Sequence, residues 1–303
     1  MENRNYLHRL LFIIKKLRSS KVATFDEIND YIKREFELKD GAKDISIRTL
    51  QRDLNDIRDL FCIDIKCNSS KQYYIAEDID DEYSNHNRRM LEAFDIHNLL
   101  NTCGQISTHV LFEDRCKLGT QHLFGLLHAI NNNFAIKLTH QSHYQSTPTN
   151  REVEPYALKE FKGFWYLLAK DYKDKAMKTF GLDRILDIEI TKKKFIWPAN
   201  FSAITYFKNC YGVTVPNNSN FEPEEVILLF TTEQGKYLKS YPLHESQNVL
   251  SEDENEIQIS LYLFITFELK MQLLSYGDSV EIIKPKSLIE ELKEVYKSAL
   301  NQY

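Results

Sequence analysis

The sequence predicts an α+β chain of several domains: a helical head ending in a β-hairpin, a helical connector, a small β-barrel and a C-terminal domain of strands and helices. Three observations carry this prediction. Helix-period apolar stripes followed by a hairpin pattern fill residues 1–76. Short apolar strands with turn signals between them run from Arg151 to Lys194, which suggests a small barrel rather than a sandwich. Beyond residue 221 the patterns follow the order β-α-β-β-α-β-α. The length of 303 residues is enough for two or three domains at about 100–200 residues each.

In the head, Leu7, Leu10, Leu11, Ile14 and Leu17 fall on one face of a first helix. Thr24-Phe25-Asp26-Glu27 has the spacing of a capping box, each end satisfying a backbone N–H of the other. The helix it opens carries Phe25, Ile28, Ile32 and Phe36 inward, and Gly41 sits in the break that follows. Ser46 is positioned to cap a third helix with Ile47, Leu50, Leu54, Ile57 and Phe61 on one face. Ile63 to Lys66 and Tyr73 to Ile75 flank Asn68-Ser69-Ser70-Lys71, a hairpin pattern.

Three short helices and a hairpin predict a winged helix-turn-helix over 1–76. At 100° per residue the third helix turns Arg48, Thr49, Arg52, Asn55 and Asp56 away from its apolar stripe. Its first turns are the end that normally enters a major groove. Arg suits phosphate or guanine and Asn suits adenine. The expected contacts to double-stranded DNA are therefore Ser46, Arg48, Thr49, Arg52 and Asn55, with Lys66 and Lys71 on the wing. The plainer reading is a solvated charged face. Asp56 and Asp59 also lie outward and would repel phosphate unless tied elsewhere.

Charge is distributed to match. Net charge is −5, so the chain as a whole is not basic. Residues 1–76 hold 15 Lys and Arg against 12 Asp and Glu, while the remainder holds 24 against 32. A mildly basic head on an acidic body fits nucleic-acid contact at one end.

Residues 77–131 read as a helical connector, opening on the acidic run Glu77 to Glu82. The barrel is assigned to 132–197, a linker to 198–220 and the α+β domain to 221–303. Phe134, Ile136 and Leu138 alternate like a strand, and His140 to Asn150 reads as a polar loop. Gly163-Phe164-Trp165-Tyr166-Leu167-Leu168-Ala169-Lys170-Asp171 is a buried strand between turn signals. In the last domain Val226 to Phe230 is a strand and Thr232 to Ser240 a helix. Ile257, Ile259, Leu261, Leu263, Ile265 and Phe267 alternate as one long half-buried strand, and a helix then ends at Gly277. Ser287 and Glu290 have the spacing to cap a last helix with Ile289, Leu292, Val295 or Tyr296, and Leu300 inward.

Three segments then resemble one family. Arg151-Glu152-Val153-Glu154-Pro155, Trp165-Tyr166-Leu167 and Thr179-Phe180-Gly181-Leu182-Asp183-Arg184-Ile185 stand in the order and spacing of the WYL domain of bacterial transcription regulators. Ile47 to Leu60 also resembles the recognition helix of the helix-turn-helix domains that precede WYL domains. The resemblance implies an SH3/Sm-like barrel, a C-terminal extension used for dimer contact, and a nucleotide or nucleic-acid-like ligand. It also implies gene control, with many members beside phage-defence genes. The ligand residues it implies are His140, Tyr144, Arg151, Lys178 and Arg184. Lys178 stands where the family often has Arg, and Gly181 replaces an Arg, so the basic patch is expected to be weakened. The alternative is that Arg151 and Arg184 pair with Glu152, Asp183 or Asp187.

The C-terminal order resembles a ferredoxin-like sheet, a superfold that implies no function by itself. The expectation is a cytoplasmic, dimeric, ligand-responsive repressor without cofactor, metal or membrane partner. An RNA- or single-strand-binding accessory protein using the barrel as a stacking platform is the alternative, with an unrecognised enzyme behind it. No nucleophile elbow, phosphate-cradling Gly-rich loop or Cys/His nucleophile pair is present in the sequence. The five cysteines form no Cys-x-x-Cys, which fits a reducing compartment. No apolar run approaches 18 residues, so neither a signal peptide nor a membrane span is expected.

Overall fold

The computed structural model describes residues 2–37, 44–61, 63–76, 93, 96, 118–216 and 221–303. The Gly41 break, the acidic run and most of the connector lie outside the described residues. The described residues form a mixed α+β molecule with three sheets, and the chain divides into two compact units, Met1–Glu113 and Asp114–Tyr303.

The first unit is built on α1 (Glu2–Ser20), whose Leu10 to Ile14 are all buried. Burial of five consecutive residues puts α1 inside the head rather than on its surface. Around it pack α2 (Phe25–Glu37) through Ile28 and Ile32, and α3 (Ile47–Phe61) through Leu50, Ile57 and Phe61. The capping box forms: the Thr24 amide donates to Glu27 Oε2 at 2.7 Å and the Glu27 amide to Thr24 Oγ1 at 3.3 Å. Asn29 ties down the approach to α3, donating to Asp44 at 2.8 Å and accepting from the Ile45 amide at 3.0 Å. Strands β1 (Val22–Thr24), β2 (Ile65–Cys67) and β3 (Gln72–Ile75) make an antiparallel sheet ordered β1-β3-β2. One expectation fails here. Ile47 is 55% exposed, because it is the first residue of α3 and projects past the core.

In the second unit, α4 (Leu123–Asn131) precedes β4 (Phe134–His140), β5 (Thr149–Phe161), β6 (Phe164–Asp171), β7 (Met177–Gly181) and β8 (Ile185–Lys194). The sheet is antiparallel in the order β7-β6-β5-β4-β8. Pro155 has no N–H for the ladder, and the β5–β6 register shifts between Pro155 and Ala157. Edge strands β7 and β8 are consecutive and joined by a three-residue 3₁₀ turn, Leu182–Arg184. Three residues span at most about 11 Å, so the sheet coils until its edges nearly meet. No ladder between them is formed among the described residues, and the expected barrel is an open coiled sheet. Gly119 packs against that turn with φ +67°, and a Cβ there would stand 2.1 Å from the Leu182 carbonyl oxygen.

A short helix, α5 (Ala203–Phe207), opens a strap running to about residue 215. Phe207 and Cys210 pack with Leu168 of the coiled sheet, while Tyr211 joins the C-terminal core. Beyond it come β9 (Glu224–Thr231), α6 (Thr232–Ser240), β10 (Asn248–Glu252), β11 (Glu256–Leu263), α7 (Phe267–Leu274), β12 (Val280–Lys284) and α8 (Lys286–Leu300). All neighbours in the sheet β10-β11-β9-β12 are antiparallel.

Ile257, Ile259, Leu261 and Leu263 are buried, as their alternation predicts. The alternation does not extend to Phe267, which begins α7 and is 71% exposed. Thr266 is extended and turns the chain from strand to helix before it. The expected Ser287 cap does not form. Pro285 is the extended residue before the helix, so α8 starts at Lys286 and Ser287 lies inside it. Leu288 and Leu292 face the core, whereas Val295, Tyr296 and Leu300 are exposed.

Candidate functional site

On α3, Ser46 performs the expected cap: its Oγ accepts from the Thr49 amide at 3.1 Å and lies 2.9 Å from Thr49 Oγ1. The two hydroxyls are thus engaged with each other. Arg48, Arg52 and Asn55 are exposed. Their i, i+4, i+7 spacing sets them on one face. Neither arginine forms an ion pair with another described residue.

The acids on α3 are partly tied off from behind. Asp53 is fully buried and takes a two-pronged bond from Arg9 of α1, Nε to Oδ2 at 2.5 Å and Nη2 to Oδ1 at 2.8 Å. Tyr6 of α1 donates its hydroxyl to Asp56. Burial, that bond and the charges of Asp56 and Asp53 push the phenol up to about 12. Asp56 is therefore drawn toward α1, while Asp59 remains exposed. On the hairpin, Asn68 Oδ1 accepts from the Ser70 amide at 3.0 Å and the Gln72 amide at 2.9 Å, which closes the turn. Lys66 and Lys71 are both exposed. Lys66 lies 3.6 Å from Asp64, which is held more closely by Arg58 at 2.7 Å.

A second site lies in the coiled sheet. His140, Arg151 and Lys178, from β4, β5 and β7, converge on one cleft of about 410 Å³. Met177 and Phe180 line it from β7, and Tyr206 and Val215 from the strap. Tyr144 is not brought in: its loop borders the cleft through Ser142 and Gln145, but Tyr144 itself is 98% exposed and does not line it. Arg184 does not line the cleft either, but its charge, after burial, lowers the His140 pKa, with Arg151 adding to the effect.

The cations are not free. Asp171, 1% exposed, accepts at Oδ2 from Lys178 Nζ at 2.9 Å and Arg151 Nη1 at 3.1 Å, and at Oδ1 from the Lys173 amide at 2.9 Å. Lys178 also donates to Asp174. The partner of Arg151 is thus none of the three acids expected. Glu152 goes to Lys193 at 3.0 Å, and Arg184 stands only 3.6 Å from Asp183. Gly181 acquires a reason beyond a lost charge. A Cβ there would lie 2.4 Å from Arg184 Nη2 and 2.8 Å from Nε, so the glycine makes room for the Arg184 guanidinium. His140 Nε2 and Arg184 Nε are buried without a hydrogen-bond partner.

Burial would raise the Asp171 pKa, but the Lys178 hydrogen bond, the Lys173 amide and the charges of Lys178 and Arg151 outweigh it and hold it below the usual carboxylate value. A carboxyl depressed in this way contributes stability at neutral pH, lost as pH falls from about 4 through the lower folded value. Asp171→Asn is therefore expected to be less stable than the wild type at pH 7. The gap should narrow steadily as thermal unfolding is repeated from pH 5 down to 2, and a gap independent of pH would contradict the assignment.

Sequence reasoning missed Asp171, Asp174, Tyr206 and Val213–Val215 as site residues. Asp171 stands at the end of the apolar run with nothing local to mark it, and its partners lie 20 and 7 positions away. The one local signal for the strap is its density of aromatic and β-branched residues between Phe201 and Val215.

Residues 121–190 match the family model of the WYL domain, and residues 222–300 match that of the WCX domain. Among solved structures, proteasome accessory factor B/C (PafBC) of Arthrobacter aurescens is 19% identical, over 95% of this chain and 45% of that chain, with a TM-score of 0.35. This chain thus spans less than half of that protein. A CRISPR Cas-related protein is 12% identical, over 99% of this chain and 85% of the other, with a TM-score of 0.42. No curated protein sequence matches the chain. No described helix is long and apolar enough to cross a membrane.

Proposed function

We propose that this chain, carrying a WYL and a WCX domain, is a ligand-responsive DNA-binding transcriptional regulator, a dimeric repressor whose WYL cleft takes a nucleotide or short nucleic-acid ligand. The observation that carries the reading is the face of α3. Arg48, Arg52 and Asn55 stand exposed together, while Asp53 and Asp56 are bonded from behind by Arg9 and Tyr6. The order α1-β1-α2-α3-β2-β3 suits a winged helix-turn-helix, with α3 as recognition helix and β2–β3 as wing. The coiled sheet suits an opened SH3-like barrel, and the order β10-β11-β9-β12 suits a ferredoxin-like sheet.

The test is a gel-shift titration on duplex DNA from upstream of the protein's own operon. Saturable, sequence-dependent binding is expected. Lys66→Ala and Lys71→Ala should each reduce the slope of log affinity against log salt by about 1 and leave sequence preference unchanged. Preference for single-stranded RNA over the duplex would overturn the reading.

A repressor reading two half-sites needs a two-fold contact. The WCX domain offers one. Phe267, Met271, Leu274 and Val295 line an open groove of about 680 Å³ between α7 and α8. Met271→Glu combined with Val295→Glu is expected to give monomers by light scattering and to weaken operator binding. Unchanged particle mass would place the dimer contact elsewhere.

A further inference from the structure

We propose that Asp174 is a built-in competitor for the WYL cleft, a carboxylate that occupies Lys178 until an anionic ligand displaces it. The inference rests on the ligand reading of that cleft. The two acids that hold its cations differ in kind. Asp171 is 1% exposed, is bonded at both oxygens, and keeps Arg151 and Lys178 side by side through one shared oxygen. It is a permanent positioning residue. Asp174 is 48% exposed and sits on the β6–β7 turn, next to Lys175 with φ +62°. It meets Lys178 with Oδ2, while Oδ1 accepts the Ala176 amide at 3.1 Å. Leaving Lys178 exposes this carboxylate to water, where it is well solvated, whereas withdrawing Asp171 would strand a buried charge.

The charges close on themselves. Arg151 and Lys178 are balanced by Asp171 and Asp174, so the resting cleft presents no net charge from these four groups. Displacing Asp174 leaves one unbalanced positive charge on the cleft wall. An anion that bonds Lys178 therefore exchanges for Asp174, and the competing carboxylate costs it part of its affinity. The weakness expected from Lys178 in place of Arg is thus set by the competing acid as much as by the cation.

The test uses the full chain and a fluorescently labelled hexathymidylate, followed by anisotropy. Asp174→Asn keeps an oxygen for the Ala176 amide and removes the charge, and it should bind about two- to five-fold tighter than wild type. The gain should vanish when Asp174→Asn is made together with Lys178→Ala. Asp187→Asn, an exposed acid on β8, should leave affinity unchanged. Asp174→Ser, whose hydroxyl can hold the same turn, should reproduce the gain. Equal binding by wild type and both Asp174 variants would overturn the competition and leave the ligand reading standing. A gain that persists with Lys178→Ala, or one reproduced by Asp187→Asn, would make it a general charge effect and overturn it too. Binding by none of the variants would remove the ligand reading and this inference with it.

Discussion

Arg9→Ala is expected to destabilise the head by about 3–5 kcal/mol, the usual loss when one partner of a buried ion pair is removed. Asp53 has no exposed surface, and Arg9 supplies both of its side-chain bonds from 44 residues away. Without the guanidinium, α3 must bury an uncompensated carboxylate or turn it to water and abandon the packing of Leu50 and Ile57. Small domains are stable by only about 5–15 kcal/mol, so the loss is at least about a fifth of what such a domain has. Arg9→Met with Asp53→Leu should recover most of the loss, since an apolar pair of similar volume carries no desolvation cost. Amide hydrogen exchange in α1 and α3 reads the effect without interference from the second unit. Protection in Arg9→Ala equal to wild type would show that Asp53 finds another partner.

Arg48→Ala with Arg52→Ala is expected to weaken operator binding by about 2–6 kcal/mol, taking about 1–3 kcal/mol for each base-directed arginine. Both side chains leave the same face of α3, and neither forms an ion pair with another described residue, so contact with DNA would not first have to break one. The variant should remain folded, because both positions are exposed. It should also lose discrimination between operator and unrelated duplex, which a loss of phosphate contacts alone would not cause. Full affinity for operator in a shift assay would remove α3 as the reading element. Lost affinity with discrimination intact would move the arginines from bases to the backbone.

Much of the fold was legible because its signals are local. Thr24 and Glu27 form their box, Ser46 caps α3, and Ile257 to Leu263 alternate into the core. Each rests on residues within a turn or two, where hydrogen bonding and the period of burial decide the conformation. The errors fall where an element ends. Ile47, Phe267, Val295 or Tyr296, and Leu300 continue an apolar period past the surface it packs on, and all of these positions are exposed. Ser287 was made a cap by its spacing, though Pro285 sets the start of α8.

Periodicity and short motifs along the chain specify the kinds of element, the WYL motif and the outward arginines of α3. What those residues meet is set by how the elements pack. Asp53 lies three residues after Leu50 and four before Ile57, on the buried side of α3, and its charge is met there because α1 brings Arg9 onto it. Arg151 and Lys178 share Asp171 because β5, β6 and β7 lie side by side. Gly181 leaves room for the guanidinium of Arg184, three residues on, which lies where a side chain would stand. Tyr144 stands outside the site although Ser142 and Gln145 on either side of it line the cleft, because its own side chain is turned to solvent. An ion pair depends on the distance between two charges in space, and separation along the chain does not specify that distance until the sheets and helices have packed.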